Sequence, residues 1–199
     1  YDTFWKMTKK EQADLIWKTL FLENSPYSEA CRGVLTVLNK LGLDPSSRDL
    51  DSYRSYFAGK TTEEYIDIVF EKAGIRQVVM TNDPFDDQER SAWEKGRKKD
   101  KRFLAALRID PLLIHWDSTW KRLKSWGYAV EQALTEKTLA EVRRFLADWV
   151  KKMDAVYMAV SLESDFRFPE DSAQGKLIEN CVLPVCREQD IPLALMIGV

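Results

Sequence analysis

An arginine that closes an apolar run is the residue of this sequence best placed to do chemistry. Arg108 ends the stretch FLAALR, residues 103–108. A permanent charge there is costly unless it meets a carboxylate or a ligand. Its guanidinium can grip a carboxylate, or adjacent hydroxyls, through two parallel bonds. A plain salt bridge to a neighbouring strand-end acid such as Asp83 is the competing explanation. If the apolar runs are strands of a parallel sheet, ligands bind beyond their C-terminal ends. That adds Thr81-Asn82-Asp83, Ile109-Asp110 and Ser161-Leu162-Glu163 to the positions where a site would form.

The other reactive side chains have plainer uses. Asp83-Pro84 and Asp110-Pro111 each set an aspartate before a proline able to open a helix, so both acids are expected to be N-caps. Asp86, Asp87 and Glu89 then fall in a first helical turn, where they suit the helix dipole as a solvated face. The basic run Lys95, Arg97, Lys98, Lys99, Lys101 and Arg102 precedes a strand, which puts it on the face opposite the expected site. It lacks interleaved aromatics and is expected to be a solvated connection. His115 is the single histidine and falls inside the helix after Pro111, so a His-based metal site lacks a second ligand. Neither a glycine-rich phosphate loop nor a G-x-S-x-G elbow occurs. The chain lacks a self-sufficient catalytic constellation.

The elements that must position Arg108 follow two rhythms. Residues 1 to about 60 read as helices without strands. Ser25-Pro26 suits a helix start, Ala30, Val34, Val37, Leu38 and Leu41 share one face, and Gly42 ends that helix. From Thr61 helices alternate with apolar runs. A helix carrying Tyr65, Ile66, Val69, Phe70 and Ala73 precedes a strand at 77–81. A polar helix from Pro84 leads to the strand at 103–108. A helix from Pro111 to Gly127 and a strongly amphipathic one through Leu139, Val142, Phe145, Leu146, Trp149, Val150 and Met153 precede a strand at 155–161. A last helix, kinked at Pro184, leads to a strand at 193–199. The strands are apolar throughout rather than alternating, as in parallel sheets covered on both faces. Strands separated by helices imply βαβ units with right-handed crossovers. Four strands suit a small open sheet or half of an eight-stranded barrel. No helix follows Val199, which favours the barrel and a longer parent protein.

Bulk properties narrow the partners. With 199 residues, 45% of them hydrophobic, the chain can bury a sizeable core. A net charge of −2 gives no general attraction to nucleic acid or membrane surfaces. No apolar run approaches the roughly 20 residues of a membrane span. Tyr1-Asp-Thr-Phe-Trp leads into polar residues, unlike a secretory signal. The three cysteines, Cys31, Cys181 and Cys186, form no framework, so buried thiols in the cytoplasm are expected.

Longer runs carry a definite resemblance. Residues 11–44 (EQADLIWKTLFLENSPYSEACRGVLTVLNKLGLD) resemble the helical insertion of uronate isomerases. VVMTNDPFDDQER (78–90), FLAALRIDPLL (103–113), VYMAVSL (156–162) and PLALMIGV (192–199) resemble successive strands and strand-end loops of that family. The likeness is to its divergent bacterial branch, in which the second-strand loop reads TNDPFDD rather than TTDDP. It implies a (β/α)8 barrel of the amidohydrolase superfamily, with residues 1–60 as a helical insertion and 61–199 as roughly strands two to five. It also implies isomerisation of D-glucuronate to D-fructuronate, and of D-galacturonate to D-tagaturonate, through an enediol. The family's metal ligands, a His-x-His pair and an Asp, match no position here. A divalent metal such as zinc would therefore be held from outside this chain, as would the catalytic residues.

One family substrate residue does match, and it is Arg108. Thr81, Asn82 and Asp83 are further site-lining candidates on a loop that departs from the commoner pattern. A small sugar acid is the expected partner, with no nucleic acid or membrane, and a homo-oligomer is expected for the intact protein. The alternatives are a metal-dependent hydrolase of the same superfamily and a non-catalytic interaction module. This chain by itself is expected to be inactive.

Overall fold

The computed structural model describes residues 2–96 and 100–198. Arg97, Lys98, Lys99 and Val199 therefore lie outside the described residues, and with them the middle of the basic run and the end of the last strand. The chain divides between Arg76 and Gln77 into two units.

The first unit is helical because its sequence supplies a cap at nearly every helix start. A short helix α1 (Asp2–Trp5) is followed by α2 (Lys9–Trp17), α3 (Glu29–Lys40), α4 (Leu50–Ala58) and α5 (Thr62–Ala73). Thr8 with Glu11, and Thr61 with Glu64, form reciprocal capping boxes that satisfy two orphan N–H groups each. Ser28, not the expected Ser25, caps α3 by accepting from the Cys31 amide at 3.2 Å. Gly74 ends α5 at φ 65°, a conformation a Cβ would penalise. Trp17 stacks on Phe21 at 4.5 Å and meets Tyr53 edge-on at 5.5 Å, and Cys31 and Leu38 complete this small core.

The second unit alternates strand and helix. Strand β1 (Val78–Asn82) leads to α6 (Asp87–Glu94), and β2 (Phe103–Arg108) to α7 (Asp110–Ile114), α8 (Trp116–Ser125) and α9 (Glu136–Met153). Strand β3 (Ala155–Leu162) leads to α10 (Ala173–Leu177), a π-helical turn (Ile178–Val182) and α11 (Leu183–Glu188), and β4 (Leu193–Ile197) follows. The expected helix from Pro111 to Gly127 is two helices, broken at His115, whose backbone leaves the helical region (φ −124°, ψ 40°). The last helix runs unbroken from Ala173 to Glu188, and its irregularity falls where the proline is. The π-helical turn ends directly before Leu183-Pro184, so the ring enters the helix where the regular hydrogen-bond ladder is already interrupted.

All neighbouring strands are parallel, in the order β1-β2-β3-β4. Each connection steps to the adjacent strand without reversing. Right-handed crossovers then lay every helix on one face of the sheet, the singly wound pattern of a barrel rather than of a doubly wound open sheet. Ala105 and Leu107 of β2 and Met158, Val160 and Leu162 of β3 point into the helix layer. There they pack with Phe145, Leu146, Trp149, Ile178, Cys181 and Val185. Burying a side chain such as Phe145, which is fully enclosed, contributes about 1.5–3 kcal/mol. Alternation sends the intervening residues Ala106, Arg108, Tyr157, Ala159 and Ser161 to the opposite face, with Arg108 level with Ala159.

Candidate functional site

Arg108 and Ser161 come to the C-terminal ends of adjacent strands, on the face away from the helices. Asp110 joins them from the first turn of α7. Arg108 Nε donates to Asp110 Oδ2 at 2.8 Å and Nη2 to Oδ1 at 3.0 Å, a side-on, two-bond pair. Nη2 also donates to Ser161 Oγ at 3.0 Å, and the Ser161 amide donates to Asp110 Oδ1 at 3.1 Å. The three residues close a ring that ties β2 to β3. The Arg108 side chain remains 38% exposed, against 17% for Asp110.

The pair bears on two expectations. Asp110 does not cap α7, which has no side-chain cap; its carboxylate is taken by Arg108 and the Ser161 amide. The salt bridge that competes with a ligand for Arg108 does form, with Asp110 in the place of Asp83. The Asp-Pro spacing allows a cap, but a guanidinium two residues back is the stronger claimant on a carboxylate. Burial works to raise the Asp110 pKa. The bonds from Arg108 and the Ser161 amide, with the Arg108 charge, outweigh it and hold the carboxyl below its usual range. The bond to Asp110 raises the Arg108 pKa further, against a smaller effect of burial.

The β1 end behaves differently at each residue. Thr81 is level with Ala106 and so shares the Arg108 face, exposed. Asn82 turns to the helix side, is buried, and donates to Glu89 Oε2 at 3.1 Å. Glu89 also accepts from the Asp83 amide at 2.9 Å, so this acid pins the loop after β1 instead of merely facing solvent. Asp83 Oδ1 accepts from the Phe85 amide at 2.7 Å in a tight turn, and Asp86 caps α6 in its place through the Gln88 and Glu89 amides. Burial pushes the Asp83 carboxyl up; the Phe85 bond opposes this, the Glu89 and Asp110 charges add to it, and the Arg108 charge offsets it. Asp83 thus lies within electrostatic reach of the Arg108–Asp110 pair, and Asn82 does not line the same face.

The remaining features fall elsewhere. A cavity of about 360 Å³ is lined by Met80, Trp93, Phe103 and Met153 among others, and none of Arg108, Asp110 or Ser161 borders it. His115 is exposed at the break between α7 and α8. Cys181 and Cys186 are buried; burial pushes the Cys181 thiol up to about 12 and raises that of Cys186. Among the described residues no group of His, Cys, Asp or Glu could hold a metal ion, so the side chains present do not fit a metal centre of their own. No described helix is long and apolar enough to cross a membrane.

A crystal structure of a uronate isomerase from Bacillus halodurans C-125 is similar to 99% of this chain, at 56% identity and a TM-score of 0.94. The chain is a uronate isomerase homologue. It spans 47% of the length of that isomerase, and its sheet is part of a (β/α)8-type barrel. No family model and no curated protein sequence matches the chain. Arg108, Asp110 and Ser161 stand at strand ends, as their positions in the sequence indicate. That the last two hold the arginine was not legible there, apart from the hint of an acid two residues after a strand-ending Arg.

Proposed function

We propose that the chain forms part of a uronate isomerase of the amidohydrolase superfamily that serves sugar-acid metabolism in the cytoplasm. The single observation that carries this is 56% identity, with near-identical fold, to a uronate isomerase over 99% of the chain. The reaction interconverts D-glucuronate and D-fructuronate, and D-galacturonate and D-tagaturonate. A base takes the proton from C2 while the C1 carbonyl oxygen gains one, an enediol forms, and a proton is delivered to C1 as the O2 hydroxyl gives up its own to leave the C2 ketone. No bond to the rest of the sugar changes.

Arg108 is the substrate-binding residue of this segment, with Thr81 and Asp83 beside it on the same end of the sheet. A guanidinium already fixed along its Nε–Nη2 edge loses little freedom when a carboxylate or hydroxyl oxygen of the sugar acid reaches its open side. The base would come from residues outside this chain, as would the ligands of a divalent metal such as zinc. The whole protein would act as a homo-oligomer.

The test is incubation of D-glucuronate and D-galacturonate with the full-length protein that carries this chain. Ketose products are the expected result. A folded, metal-supplied protein that forms no ketose from either sugar would overturn the reading.

A further inference from the structure

Arg108 has more to offer than a lone charge, because its neighbours leave a specific set of donors unspent. Its Nε hydrogen and both Nη2 hydrogens are committed, two to Asp110 and one to Ser161 Oγ. The two hydrogens on Nη1 meet no described acceptor. Ser161 must accept from Nη2, because a guanidinium can only donate. Its own hydroxyl hydrogen is then free to turn toward another oxygen, and no described acceptor takes it. The Ser161 backbone is fixed in turn by its amide bond to Asp110 Oδ1 at 3.1 Å. Two unspent donor groups, Arg108 Nη1 and Ser161 Oγ, therefore flank the same committed nitrogen. Both belong to the strand ends on the face away from the helices.

We propose that Ser161 is a second substrate-binding residue, donating its hydroxyl hydrogen to an acceptor oxygen of the sugar acid that Arg108 Nη1 also holds. This rests on the isomerase reading for the identity of the ligand. Asp110 is the positioning residue of the pair: it touches both members through three hydrogen bonds and presents no free donor to a ligand. The proposal gives Arg108 an end-on role through one nitrogen, since its side-on edge is filled by protein. Ser161 supplies the second, neutral donor that a two-nitrogen grip would otherwise provide.

The experiment compares D-glucuronate binding by calorimetric titration, ketose formation and thermal melting for the full-length protein and its S161A, S161T, R108A and R108A/S161A variants. S161A is expected to weaken D-glucuronate binding roughly three- to tenfold, the size of one ligand hydrogen bond, while melting near the wild-type temperature. S161T, which keeps the hydroxyl, restores binding. In the R108A background S161A causes a further loss of about threefold, because Ser161 touches the sugar itself. Wild-type affinity in folded S161A overturns the proposal, and so does an S161A effect that vanishes once Arg108 is gone. If S161A does not fold, S161C keeps the volume with a much weaker donor and carries the same comparison. A wild-type protein that binds D-glucuronate without forming ketose overturns the isomerase reading and leaves the Ser161 comparison intact. One that does not bind it at all overturns both.

Discussion

The Arg108 guanidinium lies side-on against the Asp110 carboxylate, Nε to Oδ2 at 2.8 Å and Nη2 to Oδ1 at 3.0 Å, with only Ile109 between them in sequence. Ile109 is fully buried and its amide bonds to the Ala159 carbonyl at 2.9 Å, so the turn from β2 into α7 is fixed from below. The pair is consequently set by the backbone before any ligand arrives. A ligand meets an arginine whose direction is already chosen.

Replacing Arg108 by alanine in the full-length protein should lower kcat/KM for D-glucuronate roughly 10- to 100-fold, the range for charge-assisted bonds to a ligand. R108K should not rescue it, because an ammonium cannot keep both Asp110 bonds and still face the substrate. Steady-state kinetics on variants that melt normally check this. Unchanged kinetics in folded R108A would reject the assignment.

D110N should raise KM for D-glucuronate more than it lowers kcat, since Asp110 orients Arg108 and does not touch the reacting atoms. It should also lower the melting temperature near neutral pH. The folded-state pKa of Asp110 is depressed, so the stability it contributes is fully present above its unfolded value. That stability is lost as pH falls through the folded value. The gap between D110N and wild type should therefore close below about pH 4. Melting curves over an acid pH series would show it, and a constant gap would contradict the shift.

Asp83 has the opposite sign. Its folded pKa is raised, chiefly by burial, so its ionised form works against the fold, and stability is lost as pH rises through that value. Asparagine keeps the acceptor for the Phe85 amide and removes the charge. D83N should melt higher than wild type at neutral pH, with the advantage shrinking toward acid pH. A lower melting temperature at neutral pH would show that the carboxylate is stabilising there.

Gly175 of α10 sits against the loop that follows β3. A Cβ placed on it would meet the Glu170 carbonyl oxygen at 2.0 Å, and that oxygen is backbone and cannot swing away. G175A should destabilise the protein by roughly 1–3 kcal/mol, the usual cost of overpacking. Urea unfolding midpoints measure this, and a midpoint equal to wild type would mean the loop yields freely.

The isolated 199-residue chain should self-associate and turn over no uronate. Strand β4 is the last strand of the described sheet, and its Leu195 and Ile197 are 41% and 50% exposed. An uncovered apolar face beside an open strand edge associates readily with other chains. Sedimentation should find oligomers or aggregates that L195K/I197K disperses. A monomeric preparation that forms ketose would contradict both halves of the prediction.

The strands were legible because apolar runs bounded by turn residues are a local property. β2 begins and ends at the residues that FLAALR indicates, and β1 lies one residue further on than expected, at Val78–Asn82. Arg108 was legible because a charge ending such a run stands out against its neighbours. Caps were less so. Ser25, Asp83 and Asp110 all precede prolines or sit near helix starts, yet Ser28 and Asp86 do the capping for α3 and α6. Several acceptors compete over three or four residues, and the winner depends on where the backbone turns.

The sequence by itself determined the order of elements, the parallel character of the sheet and the one arginine worth testing. Each follows from periodicity or from a charge next to apolar neighbours. Only the tertiary structure decided what Arg108 touches. Ser161 lies more than fifty residues away along the chain, and it meets Arg108 because the register of β3 on β2 sets Ala159 opposite the arginine and its own side chain on the same face. That register is fixed by packing the helix-facing residues of both strands, which no local pattern around either residue encodes.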